Sequence, residues 1–183
     1  MKEEYKFGQI PICREIKTAR IISLSRFIEE KIEELYNTKR ENEDYAVWTA
    51  TSILNTILAV MINNDTAKKL TNYITHLFHL FYRKSELREE EEKTLRQSIL
   101  NDVEILTTIL VCSDCVSKMY IYQAFNQNYK IDEKKLIREL LEDILLTLFY
   151  IIAFDIEKEK FEEKEILAIY GVVEQFVDHV MLL

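Results

Sequence analysis

The chain has 183 residues, 48% of them hydrophobic and 31% charged. That length suits one domain burying roughly 70% of its unfolded surface, and the apolar share excludes a disordered chain. Two glycines (Gly8, Gly171) and one proline (Pro11) are too few for the tight turns of sheets and barrels or for a phosphate-cradling loop, and a net charge of −8 disfavours non-specific binding to nucleic acid.

Helices joined by short polar loops meet these constraints. The expected fold is therefore all-α: a single-domain bundle, 1–183, of six or seven helices. The first is expected to open near Pro11, a residue tolerated at the first helical position, and to run to about Tyr36. Ile21, Leu24, Ile28, Ile32 and Leu35 recur at three- and four-residue spacing and make one apolar stripe. After a loop at 37–42, Thr38 and Glu41 have capping-box spacing for a second helix, which carries Val47, Ala50, Leu54, Ile57, Leu58 and Met61 on one side. Asn63, Asn64 and Asp65 break the pattern, and Asp65 is the expected cap of a third helix with Leu70, Tyr73, Ile74, Leu77 and Phe81 on its buried side.

Ser85 is the next expected cap. The acidic run Glu89 to Glu92 follows it, where a helix N-terminus favours negative charge. From Glu86 to about Phe125 no residue compels a break, so this stretch reads as one long helix or as two with a kink near Asn101 and Asp102. Its second half, about 103–125, is apolar around most of its circumference and is expected to lie at the centre of the bundle. A polar loop at 126–131 leads to Asp132, the cap expected for another apolar helix through Phe154. The charged stretch 155–165 connects to a last helix striped by Ile166, Ile169, Tyr170, Val173, Phe176, Val177 and Val180. Ala168 and Gly171 lie on its back, where small residues let another helix approach.

The chemistry-bearing residues are sparse. Cys112 and Cys115 form a C-x-x-C inside an apolar helix, a setting for packing rather than for a redox thiol at a helix start. His76 and His79 are three apart, but no carboxylate precedes them in an E-x-x-H arrangement. Neither pair has the convergent ligands of a metal site, so no metal and no cofactor is expected. Three cysteines without disulfide density imply reduced thiols and an intracellular, cytoplasmic setting. The first residues lack the apolar core of a signal peptide. The longest apolar stretch, 144–154, is too short for a bilayer, which needs about 20 residues.

By elimination, the expected function is protein–protein interaction: an adaptor, inhibitor or structural subunit without catalysis of its own. Two nearly all-apolar helices in so small a bundle favour a homo-oligomer, most simply a dimer. A groove beside the polar strip Thr107, Asp114 and Lys118 is the expected seat of a partner helix.

Two other readings compete. Glu30 and Glu33, followed by Glu41 and Asp44, make an E-x-x-E and an E-x-x-D at a helical hairpin. This pattern resembles the magnesium ligands of all-α nucleotide pyrophosphohydrolases, and implies Mg²⁺ held between carboxylates and a substrate phosphate. The gap between the two motifs is shorter here than in that family. The third reading is a regulator contacting nucleic acid through Lys17, Arg20 and Arg26 of the first helix. The plan of a central apolar helix wrapped by amphipathic ones resembles the Bcl-2-like fold. That family's Asn-Trp-Gly-Arg signature is absent, and Trp48 stands in a different context.

Overall fold

The structure is a computed structural model that describes residues 15–39, 41–111, 132–159 and 161–183. Among these residues there are six helices and no strand. They are α1 (Glu15–Thr38), α2 (Glu43–Met61), α3 (Asn64–Phe81), α4 (Glu89–Val111), α5 (Glu133–Ala153) and α6 (Glu163–Met181). The all-α bundle expected from glycine and proline scarcity is what these residues form.

Short connections make α1, α2 and α3 antiparallel neighbours. The side chains confirm the directions: Lys31 and Glu34 of α1 meet Trp48 and Tyr45 of α2, while Glu43 and Thr51 of α2 meet His79 and Thr75 of α3. Helix α4 runs back along α1, where Glu33 bonds Arg96 and the Tyr36 hydroxyl donates to the Glu92 carbonyl at 3.3 Å.

Most residues of the apolar stripes read from the sequence are buried, while Tyr73, Ile166 and Tyr170 are exposed. Ile28, Ile32 and Leu35 of α1 pack with Val47, Ala50, Leu54, Ile57 and Leu58 of α2, and with Ile74 and Phe78 of α3. Each of the larger of these side chains taken from water contributes about 1.5–3 kcal/mol before entropy is counted. Helix α5 supplies the largest share of core among the described residues. Leu136, Leu140, Leu141, Ile144, Leu145, Leu148, Phe149, Ile151, Ile152 and Ala153 are all buried, and the helix packs against α2, α3, α4 and α6. It is apolar nearly all round after Asp143, as its sequence implies.

The expected central helix at about 103–125 falls partly outside the described residues. Its first portion closes α4, where Val103, Leu106 and Ile109 are buried and Leu110 is half-buried. The segment after α3 is not helical. It is pinned instead, because the Arg83 N–H donates to the Ile152 carbonyl at 2.9 Å and the Arg83 guanidinium bonds Glu165 at 3.0 Å.

The caps correct the sequence reading at three places. Helix α1 runs through Thr38, whose hydroxyl bonds back to the Glu34 carbonyl at 2.7 Å, and Asn42 caps α2 by accepting from the Tyr45 N–H at 3.1 Å. Asn63, not Asp65, caps α3, accepting from the Thr66 N–H at 2.9 Å; Asp65 sits in the first turn. Asparagine two residues earlier fills the capping role expected of the aspartate. Ser85 caps nothing: its hydroxyl is buried without a partner, and α4 begins only at Glu89. Asp132 caps α5 as expected, bonding the Lys134 N–H at 3.1 Å. Helix α6 opens with a reciprocal capping box between Glu162 and Glu165, inside the stretch read as a connection.

Candidate functional site

The polar sides of α2 and α3 meet along a seam, and with the middle of α1 they enclose a cleft of about 690 Å³. The reason lies in the helical periodicity. The apolar stripes of α2 and α3 turn toward the core, which leaves Thr51, Ser52 and Asn55 facing Thr71, Asn72 and Thr75 across the seam. The Thr51 and Thr75 hydroxyl oxygens lie 3.0 Å apart. One end is closed by His79, whose Nδ1 is 3.2 Å from Glu43 and whose Nε2 is 3.9 Å from Asp44. Lys68 stands toward the other end.

The lip of the cleft is aromatic. Trp48 is 53% exposed, with the Tyr45 ring 5.7 Å away on its own helix. The Lys31 ammonium sits 5.0 Å from the Trp48 ring centre and 5.8 Å from that of Phe27. Lys31 is also bonded to Glu34 at 2.7 Å, and Glu34 accepts the Tyr45 hydroxyl. The Lys31 hydrogen bond, then that of Tyr45, hold the Glu34 carboxyl below its usual pKa. The same carboxylate raises the pKa of Tyr45.

A second feature is the outer face of α6. Leu167 is 65% exposed and Tyr170 56% exposed, and Ala168 and Gly171 beside them are exposed too. A Cβ added at Gly171 would meet nothing within 4 Å. A shallow apolar hollow adjoins this face, lined by Leu146, Tyr150, Phe161, Ile166 and Tyr170.

Helices α4 and α5 carry three carboxyl groups held above their usual pKa. Burial, then the charge of Asp143, pushes Asp102 up to about 7. Glu104 is only 4% exposed, its Oε1 has no partner, and burial pushes it up to about 7 as well. Asp143 on α5 is raised by burial and by Glu142 and Glu139.

The sequence-derived candidates are not brought together. Thr107 is 3% exposed and therefore part of the packed interior of α4, while Asp114 and Lys118 lie outside the described residues. Of the four acidic residues at the α1–α2 hairpin, Glu33 bonds Arg96 of α4 and Asp44 sits beside His79 of α3; Glu30 and Glu41 are exposed. His76 is exposed, and His79 is engaged by α2 rather than turned to solvent alone. Cys112 and Cys115 lie outside the described residues, among which no group of three or more His, Cys, Asp or Glu is placed to hold a metal ion. None of the described helices is long and apolar enough to cross a membrane.

The α2–α3 cleft went unread because its signal is a polar stripe on two adjacent helices. Such a stripe normally means solvent. Only the antiparallel pairing, with Trp48 at the lip, turns it into a concave surface.

No protein-family model, curated protein or solved structure matches the chain.

Proposed function

We propose that the protein is a protein–protein interaction module that assembles with a second copy of itself through the outer face of α6. The observation that carries this is an exposed apolar strip on a well-packed helix: Leu167 and Tyr170 stand out beside Ala168 and the open space over Gly171. Small residues flanked by large apolar ones suit close helix–helix contact, and exposed apolar surface of this kind marks interaction sites.

The charges favour an antiparallel pair about a two-fold axis at Gly171. Lys164 lies seven residues before Gly171 and Asp178 seven after, about two helical turns either way and on the same face. Antiparallel pairing then sets Lys164 opposite the partner subunit's Asp178, twice by symmetry. A parallel pair would instead set Lys164 against its own copy. Arg138 already holds Asp178 from within the chain and fixes its carboxylate at the edge of the face.

Light scattering at micromolar concentration tests the reading. The wild-type mass is expected to be that of two chains, and Leu167→Glu that of one, with unchanged circular dichroism. A wild-type mass of one chain at every concentration overturns it.

A further inference from the structure

Two hollows on the side of the bundle formed by α4, α5 and α6 share one side chain. Glu90, Glu91, Thr94 and Leu95 of α4 enclose the first, of about 320 Å³, together with Tyr150 of α5. Tyr150 also lines the second, the apolar hollow of about 200 Å³ beside Phe161, Ile166 and Tyr170. Its ring is held by Phe161, edge-on at 5.2 Å, and by Phe154 at 5.3 Å. One tyrosine thus joins an acidic mouth to an apolar seat.

The charge of the mouth is not compensated. Arg88, Lys93 and Arg96, the next bases along the chain, are engaged elsewhere: Arg88 with Glu159 at 2.7 Å, Lys93 with Glu89 at 3.1 Å, and Arg96 with Glu33. Glu90 and Glu91 have no ion pair among the described residues. The positive end of the α4 dipole offsets only about half a charge against these two carboxylates. The field of Glu91 reaches the tyrosine: after burial, its charge is what raises the Tyr150 pKa. The Glu91 Oε2 is shut off from solvent without a partner, a cost that a positive charge at the mouth would offset through the field. Direct contact falls to Glu90, which is exposed. Size narrows the occupant further. Small-ligand sites commonly measure about 300–1,000 Å³; one hollow stands at the foot of that range and the other below it. Hollows of this size suit single side chains, as do the interface pockets that anchor one residue of a partner.

We propose that this pair of hollows docks another polypeptide, through a lysine or arginine at Glu90 and an apolar side chain seated between Tyr150 and Ile166. The basic residue lays its stem along Leu95 and the Tyr150 ring and keeps its charged head toward Glu90 and water. Glu91 strengthens the attraction through its charge. This partner is distinct from the second copy on α6, although Tyr170 borders both surfaces.

The test titrates the full chain with synthetic peptides, each carrying one Lys or Arg and one Leu, Phe or Trp at every spacing within a helical turn. A matched set carries Glu in place of the base. A peptide of the chain's own basic and apolar stretch 134–141, and butylammonium chloride, complete the panel. The expected result is saturable binding of at least one basic peptide, none of its Glu counterpart, and an affinity that falls as salt rises. Binding should weaken at least tenfold in the double variant Glu90→Gln, Glu91→Gln and in Ile166→Ser, with circular dichroism unchanged in both. Trp48→Ala, in the α2–α3 cleft, should bind as wild type does. So should Leu167→Glu, whatever its mass, which keeps the result separate from α6 pairing. Five results overturn the proposal: no basic peptide bound, equal binding of the Glu set, binding that survives the paired Gln substitutions, binding confined to the chain's own stretch, or butylammonium bound as tightly as any peptide.

Discussion

Phe78 of α3 and Phe149 of α5 stack with ring centres 4.7 Å apart and planes tilted by 50°. Phe81 meets the same Phe149 ring edge-on at 5.8 Å. Three aromatic rings from two helices thus converge where α5 enters the core of the first three helices. Phe149→Ala should cost about 3–5 kcal/mol in urea denaturation, from lost burial and from the cavity left behind. Leu110→Ala, at a half-buried position, should cost clearly less. Equal losses would mean that the weight of the core lies on α4 instead.

Glu104 and Asp102 make stability depend on pH in the unusual direction. Both are pushed up to about 7 by burial, so between roughly pH 4.5 and 7 the folded chain keeps protons that the unfolded chain has released. Their contribution to stability is fully present below about pH 4, falls as pH rises from there through 7, and levels off above. The expected loss from pH 5 to 7.5 is about 2 kcal/mol for each of the two groups. Below pH 4 Glu34 acts oppositely, because its depressed pKa makes protonation destabilising. Denaturant midpoints measured across pH 4–8 check the curve. Glu104→Gln should raise stability at pH 7.5 and flatten the slope.

The caps of α3 can be told apart by substitution. Asn63→Ala removes the acceptor for the Thr66 N–H and should cost about 1 kcal/mol. Asp65→Ala removes only a first-turn carboxylate, which should cost about 0.3–1 kcal/mol and less at high salt. Thermal unfolding of the two variants at low and high salt separates a hydrogen bond from a dipole effect.

Cysteine cross-linking reads the register of the proposed α6 pair. With Cys13, Cys112 and Cys115 replaced by serine, Gly171→Cys lies on the two-fold axis and should oxidise to a covalent dimer. Lys68→Cys, on another face, should not. Helices this close at a small residue bring Cα atoms into the range of about 4.4–6.8 Å that a disulfide requires. A Gly171→Cys chain that stays monomeric on a non-reducing gel, while Lys68→Cys cross-links, would place the contact elsewhere.

The scarcity of glycine and the three-to-four spacing of apolar residues were enough to read the helices and most buried stripes. Ile28, Ile32 and Leu35, or Val173, Phe176 and Val177, lie where periodicity places them, since burial of a stripe is a local property of one helix. Tyr73, read as part of the α3 stripe, is exposed, as are Ile166 and Tyr170 at the edge of the α6 stripe. A residue at a stripe margin is covered or bare according to which neighbour arrives. Glu104 gave no local sign of burial either, since only the packing of α4 closes over it. The same holds for the cleft. Trp48 and Asn55 have no motif, and what makes them neighbours of Thr71 and Lys31 is the pairing of three helices.

The position of α5 in the chain has a consequence for synthesis. Helices α1, α2 and α3 are joined by short connections and can pair as soon as they leave the ribosome, but Phe78 waits for a partner made about 70 residues later. At roughly 5–20 residues per second, the half-built core stands open for several seconds. In that interval Ile74, Phe78 and the inner side of α2 present a hydrophobic surface which the finished protein hides. A nascent chain halted before Phe149 should therefore recruit general chaperones, and one released beyond Ala153 should shed them.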